Sequence, residues 1–222
     1  MSCEGLKSEH RARKRKRIRA RGRLPSGGTS VKGLIRRIDE HLRLKAGVFE
    51  FCDDPQCFFR LGVHSLDRDV MVPDGVIQTG SRVLEIHMWN ERLPKMPADG
   101  FDFAWAADGA RRTLYSFRAA ARYLREHEEL DDVVAVGGES VLFDKIMRRV
   151  GFEVRSTREA RGRWLDFWET VHSWLLIWAF NEHSLRSYPF QKLKKSEFWM
   201  RREAFLDRFP PKTTREENSA DE

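Results

Sequence analysis

The most regular predicted strand carries an ionisable pair on one of its faces. Residues 82–89 alternate in polarity, so Glu85, His87 and Trp89 are expected to point to the same side. A carboxylate beside an imidazole can flank a small polar ligand or work as a general acid–base pair. Asn90 follows at the end of the strand and is the third catalytic candidate. A solvated strand face with a hydrogen-bonded histidine fits the same pattern, so both interpretations stay open.

Other residues that could bind a metal are too few or badly spaced. His64 is expected on a neighbouring strand and could lie beside His87, but a zinc site needs three or four converging ligands. Four residues separate Cys52 from Cys57, which is too wide for a CxxC redox pair. They could bridge a loop or join a metal site, but with Cys3 they make an odd count, and we expect free thiols in a reducing compartment. The sequence predicts neither a metal nor a cofactor.

A glycine pair between a predicted strand and a predicted helix suggests an anion site. Gly137, Gly138 and Ser140 would form a turn at the positive end of the helix dipole, where a phosphate or carboxylate binds well. The turn is neither a Walker loop nor a GxGxxG motif. A plain connection with Ser140 as the helix N-cap is therefore the alternative.

A tryptophan-rich helix is predicted over residues 161–181. Its spacing of three and four places the tryptophans together, and apolar residues extend around the other side. Core packing, a protein partner and a membrane interface are the three interpretations of this helix. The interface candidates are Trp164, Trp168, Trp174 and Trp178.

The positive charge of the chain is concentrated at its start. Residues 1–30 hold ten Lys and Arg residues against two Glu, a net charge of +8, whereas the whole chain of 222 residues carries +7. The remaining residues are therefore almost neutral. The segment could attract anionic lipid or nucleic acid as a polyelectrolyte. It lacks aromatic residues for base stacking, and an extension without function is the third interpretation.

Targeting signals are not evident in the sequence. The basic start is not followed by the apolar run of a signal peptide, and the longest apolar stretch, residues 174–180, is too short to span a bilayer. We expect a cytoplasmic protein, with a peripheral position at the inner membrane as an open alternative.

Hydrophobic periodicity predicts an α+β fold, with an antiparallel sheet, packed helices and a Trp-rich helical C-terminal part. We expect a basic tail and linker over 1–30, a single domain over 31–209 and a polar tail over 210–222. The predicted helices cover 31–44, 111–130, 141–150, 161–181 and 196–209. The predicted strands cover 48–51, 58–63, 69–72, 82–89, 133–136 and 152–154.

Three ordered segments resemble the YkoP-like domain, a bacterial family also found attached to polysaccharide deacetylases. They are Asp74-Gly75 with residues 83–90, the helix over 114–130, and residues 133–138 with 149–154. The resemblance covers about residues 45–180. Its most specific element is the strand that contains Leu84, Ile86, His87 and Asn90 after the Asp-Gly pair.

The resemblance implies an accessory or binding domain rather than a particular reaction, since that family has no assigned activity. Its association with deacetylases implies a role in bacterial envelope polysaccharide or lipid metabolism, with an anionic lipid or a sugar phosphate as ligand. Deacetylase chemistry does not carry over, because the sequence lacks that enzyme's metal-binding motifs.

Two alternative functions stay open. The first is an acyl or sugar-modifying transferase that uses His87 and Glu85 near the 137–140 turn. Residues 147–153 are similar to the end of a GNAT acetyltransferase, although the acetyl-CoA loop is missing. The second is nucleic-acid binding through the basic tail.

Overall fold

Helices and strands follow one another along the chain in an α+β order. The computed structural model describes residues 31–100, 102–140, 144–156, 163–181, 183 and 196–211. The predicted tails, 1–30 and most of 210–222, lie outside this range. The helices are α1 (Val31–Lys45), α2 (Phe103–Glu126), α3 (Asp144–Arg149), α4 (Arg163–Phe180) and α5 (Arg202–Arg208). The strands are β1 (Phe59–Ser65), β2 (Val70–Val72), β3 (Gly75–Ile77), β4 (Arg82–Met88), β5 (Ala135–Ser140), β6 (Glu153–Ser156) and β7 (Ser196–Arg201).

Five strands form a mixed sheet in the order β1-β4-β5-β7-β6. The α+β class is confirmed, but the sheet is not wholly antiparallel, because β4 pairs with β5 in parallel. The helix α2 provides the crossover that a parallel connection requires. The strands β2 and β3 form a separate two-stranded antiparallel hairpin.

The main core lies on one face of the sheet, between the strands and α2, α3 and α5. Period-two alternation brings Phe59, Ile86 and Phe198 to this face. Phe117 of α2 stacks on Phe209 at 4.8 Å between ring centroids and also contacts Phe59 edge-on. The helix α2 begins earlier than predicted because Asp102 caps it, its side chain accepting a hydrogen bond from the backbone N–H of Ala104.

The opposite face of the sheet, which we call the polar face, is only partly covered by apolar residues. The register of the strands places Arg60, Gly62, His64, Glu85, His87, Gly137, Glu139, Glu197 and Trp199 on it. The β2–β3 hairpin covers one end, where Val70, Val72 and Ile77 pack on Val83, Ala135 and Trp199. Glu85 and His87 lie further along β4, beyond that covered end.

Two predicted elements are wrong. Residues 137–140 form no turn; they are the last four of the six residues of β5. Residues 196–209 are not one helix but β7 followed by α5. The predicted strand over 48–51 is also reduced to a single bridge between Phe49 and Leu61.

Candidate functional site

The carboxylate of Glu85 lies between two imidazoles on the polar face. Its Oε2 is 3.2 Å from Nε2 of His87 and 3.5 Å from Nδ1 of His64. His87 is two residues from Glu85 on β4, and His64 comes from β1, where Gly62 is the residue opposite Glu85. The structure thus places His64 beside the pair, which the sequence had left as a possibility.

Glycine at position 62 makes room for the cluster. A Cβ built on Gly62 would lie 3.2 Å from Nε2 of His87 and 3.5 Å from a methyl of Val48. A side chain there would therefore require the His87 ring to shift by a few tenths of an ångström.

The cluster can exchange protons with a bound ligand. The side chains of His64, Glu85 and His87 keep 43%, 25% and 33% of their surface exposed, so solvent or a ligand can reach all three. An N–H from either ring can donate to the carboxylate, which then fixes that ring's tautomer and leaves its second nitrogen to act on a ligand. Such a set can bind hydroxyl groups or act as an acid–base pair.

No metal site is formed by this cluster. In the described part of the chain, no three or more His, Cys, Asp or Glu side chains converge to hold a metal ion.

The glycine pair does not contribute a helix N-terminus. Gly137 lies opposite Glu85 in the parallel β4–β5 pair. A Cβ on Gly137 would lie 2.2 Å from Cε3 of Trp199, and one on Gly138 would lie 2.6 Å from the carbonyl oxygen of Ile86. The glycines are required by close packing within the sheet, and Ser140, the last residue of β5, is buried. The structural premise of the predicted anion-binding turn is therefore wrong.

Arg60 is a buried cation on the same face that the sequence analysis missed. It is opposite His87 in the β1–β4 register, and its guanidinium lies 4.4 Å from the centroid of the Trp89 ring. Its Nη2 contacts Glu50 at 3.3 Å and Glu91 at 3.7 Å. Burial lowers the pKa of Arg60, and the two carboxylates oppose that shift. Period-two alternation along β1 places Arg60 on the same face as His64, and this was the sequence pattern that could have identified it.

The third catalytic candidate lies at the edge of the cluster. Asn90 opens the short 3-10 helix Asn90–Arg92, directly after Trp89. Glu91 of this helix contacts Arg60 rather than either histidine. The helix therefore connects β4 to the Arg60 ion pairs, and Asn90 stays a candidate by position alone.

The tryptophan-rich helix is confirmed as a helix, α4, but its surface is only partly described. Trp174 and Trp178 are half-buried, and Phe180 is buried. The side chains of Trp164 and Trp168 lie outside the described residues. Lys32 of α1 lies 5.4 Å from the Trp178 ring centroid, and Arg36 lies 5.0 Å from that of Phe180.

The helix α1 packs on the domain with its polar side. Besides these two cation–π contacts, the buried Arg43 pairs with Glu40 at 2.5 Å and donates to the carbonyl oxygen of Val48 at 2.8 Å. Arg43 also lies 4.0 Å from Glu50, which contacts Arg60. The C-terminal end of α1 is therefore joined to the polar face of the sheet.

The apolar side of α1 faces outward. We call the exposed set Val31, Leu34, Ile38 and Leu42 the apolar stripe; its members are 64%, 60%, 46% and 46% exposed. Their spacing of three and four puts them on one side of the helix. Exposed Arg37, His41 and Lys45, also four residues apart, border the stripe. A helix in a globular protein normally buries such a stripe, so this orientation requires an explanation.

No helix of the described residues is long and apolar enough to cross a membrane.

Comparison with known protein families shows which family the fold belongs to. The YkoP domain matches residues 50–209, which is well over half of the chain. The matched range contains the polar face, the helix α4 and the C-terminal elements β7 and α5. Comparisons with curated proteins and with solved structures gave no match.

Proposed function

Since the chain belongs to the YkoP domain family, we propose that it is a binding domain of bacterial envelope metabolism that attaches to the surface of an anionic membrane through α1. The observation that carries the proposal is the outward-facing apolar stripe with its basic border. An interfacial helix buries such a stripe at the boundary between headgroups and acyl chains, while its basic side chains contact lipid phosphates.

The charge of the neighbouring sequence favours an anionic membrane. The segment that precedes α1 carries a net charge of +8, and each basic residue near an anionic surface contributes about 1 kcal/mol. Burial of apolar area adds about 25 cal/mol per Å². A short stripe alone binds weakly, so the apolar and electrostatic parts are both needed.

A second copy of the chain fits the stripe less well. Two chains that joined through α1 would bring two segments of charge +8 close together. The repulsion between these like charges opposes such a dimer. A membrane of anionic lipid instead attracts both the stripe's border and the preceding segment. We therefore commit to a bilayer as the occupant.

Vesicle flotation tests this proposal. The full chain should float with vesicles of phosphatidylcholine and phosphatidylglycerol and remain unbound with phosphatidylcholine alone. The double substitution Leu34→Ser with Ile38→Ser should weaken binding about tenfold or more, the equivalent of about 1.4 kcal/mol. Met71→Ser is the matched control, because Met71 is an exposed apolar residue, 49% exposed, on the β2–β3 hairpin.

The outcomes separate the alternatives. Equal flotation of the double variant and the wild type would show that the basic segment alone holds the membrane and would refute the role of α1. A concentration-dependent dimer that the same substitutions dissociate would refute the bilayer and assign the stripe to self-association. Loss of flotation in Met71→Ser would indicate that the variant unfolds, rather than that Met71 contacts the membrane.

A second candidate function is supported by the shared carboxylate oxygen of Glu85. The cluster His64–Glu85–His87 could bind a sugar phosphate or serve as the acid–base pair of a transferase. In isothermal titration with UDP-N-acetylglucosamine as the probe, His87→Ala should weaken binding at least about tenfold. His41→Ala on α1 is the control histidine. Equal binding by wild type and His87→Ala, or no binding by either, would contradict this candidate.

A further inference from the structure

Residues 52–57 form a tightly held loop. One nitrogen of Arg92, Nη1, donates to the carbonyl oxygens of Cys52, Asp54 and Cys57 at 3.2, 2.8 and 3.2 Å. The N–H of Cys57 donates to the carbonyl oxygen of Asp54 at 3.0 Å. Arg112 holds the outer part of the loop through the carbonyl oxygen of Pro55 at 2.7 Å. Because a single guanidinium nitrogen reaches both Cys52 and Cys57, the loop keeps these two residues close together.

The two thiols have different surroundings. Cys52 is half-buried and lines a pocket, whereas Cys57 is completely buried behind it. The two thiols interact with each other, and the Cys57 thiol also lies 4.0 Å from the carbonyl oxygen of Phe59, to which it can donate. The accessible sulfur of Cys52 thus lies beside a buried thiol.

The pocket beside Cys52 has a volume of about 360 Å³. It lies between the loop and the face of α2, and it contains both charged and aromatic side chains. Tyr115 donates a hydrogen bond to Asp54 at 2.5 Å. Arg122 is the basic residue that lines the pocket. The lining residues are Phe51, Cys52, Asp53, Asp54, Tyr115, Ala119, Arg122, Tyr123 and Glu126.

Electrostatics of the pocket favour a thiolate at Cys52. The hydrogen bond from Cys57 lowers the pKa of Cys52 to about 6, helped by the backbone N–H of Asp54 and by Arg122, although burial and the Asp54 carboxylate oppose the shift. The same contact and complete burial raise the pKa of Cys57. A thiolate is the form of cysteine that attacks an electrophile.

We propose that Cys52 is an oxidation site that reacts with small hydroperoxides from this pocket, and that Cys57 resolves the product to an intramolecular disulfide. The proposal stands apart from membrane binding, since the pocket contains no residue of α1. Two neighbouring thiols of unequal exposure, one reactive and one resolving, are the arrangement that redox-responsive cysteines use.

Both steps balance with hydrogen peroxide as the oxidant. In the first, the Cys52 thiolate attacks one peroxide oxygen; the S–O bond forms, the O–O bond breaks, and hydroxide leaves to become water. In the second, the sulfur of Cys57 attacks the Cys52 sulfenic acid; the S–S bond forms, the S–O bond breaks, and the hydroxyl leaves as water with the thiol proton. The two thiols are oxidised and the peroxide is reduced.

Peptide mapping of the full chain tests the proposal. Treatment with one equivalent of hydrogen peroxide in a Cys3→Ser background should give a loss of two hydrogen atoms, a Cys52–Cys57 cross-link, and reversal by dithiothreitol. Cys57→Ser should instead accumulate a Cys52 sulfenic acid that dimedone captures. Cys57→Ala, which leaves no hydroxyl in the buried position, is the second variant if the serine impairs folding, and it should give the same adduct.

The pH dependence of alkylation distinguishes a reactive thiol from an ordinary one. With a pKa near 6, the rate of Cys52 with iodoacetamide should rise by only about 1.1-fold from pH 7 to pH 8, because the thiol is already ionised. In the urea-unfolded chain the same cysteine should gain about eightfold over that interval.

Three outcomes would overturn the proposal. The first is no cross-link and no dimedone adduct at one equivalent of peroxide. The second is an alkylation profile of the folded chain that matches the unfolded one. The third is a dimedone adduct on Cys57 in Cys52→Ser but none on Cys52 in Cys57→Ser, both in the Cys3→Ser background, which would reverse the assigned roles.

Discussion

Gly137 shows how one residue determines the packing of the polar face. The ring of Trp199 lies directly over it in the adjacent strand, and a Cβ would meet both that ring at 2.2 Å and the carbonyl oxygen of Phe198 at 2.4 Å. Trp199 in turn donates from Nε1 to Glu197 at 3.3 Å, and Glu197 pairs with Arg68. Because Gly137 has no side chain, the buried indole of Trp199 can pack on the polar face beside Glu85.

Substitution of this glycine should be costly. We expect Gly137→Ala to lower the free energy of unfolding by about 3 kcal/mol, because the ring and the backbone carbonyl must both move. Gly109→Ala is the matched control: Gly109 lies inside α2 with nothing within 4 Å of a built Cβ. There alanine should add about 0.5–1 kcal/mol through its helix propensity.

Urea denaturation of the two variants and the wild type measures these effects. Equal stabilities for Gly137→Ala and wild type would mean that Trp199 moves freely, which would contradict the close packing described for β5 and β7.

At the scale of elements, local sequence patterns correctly predicted the helices and strands that depend on local interactions. The alternation in β4 and the apolar spacing along α1 and α2 depend on residues near in sequence, and these elements were found. The glycines of β5 were interpreted as a turn because glycine breaks most regular structure. Their reason lies in Trp199, a residue distant in sequence, so no local pattern reveals it.

The strand β7 was missed because its periodicity is hidden. Five of its six residues are buried, including polar Ser196 and Glu197 on opposite faces. A strand enclosed on both sides does not alternate in polarity, and a short buried run cannot be distinguished from a helix by periodicity. The amphipathic helix α5 follows at once, so the whole segment looked helical.

The candidate site was predictable only where strand pairing follows from sequence. His64 and Glu85 lie on adjacent antiparallel strands, and the sequence offered their proximity as one possibility for neighbouring strands. The Cys52–Cys57 contact was the less favoured alternative, because the odd number of cysteines indicated free thiols. The loop that joins them depends on Arg92, some 35 residues further along the chain.

At the scale of the whole molecule, the C-terminal part of the described chain completes the fold. The strand β7 lies between β5 and β6 rather than at an edge, and it pairs antiparallel with both. Phe198 and Met200 of β7 and Phe205 and Phe209 beyond it belong to the main core. The family match ends at residue 209, where these core contributions also end.

Truncation should therefore show a sharp boundary. A chain that stops after residue 195 leaves β5 and β6 without their common neighbour, so both strands expose unpaired N–H and C=O groups. It also loses four buried side chains of the core, and each such loss typically costs about 2–5 kcal/mol. Because domains are stable by only about 5–15 kcal/mol, we expect no cooperative thermal transition and strong binding of a hydrophobic dye.

A chain that stops after residue 211 retains β7 and α5 and should melt within about 2 °C of the full chain. A cooperative melt of the shorter chain, followed by circular dichroism, would show that β7 is dispensable and contradict its central role.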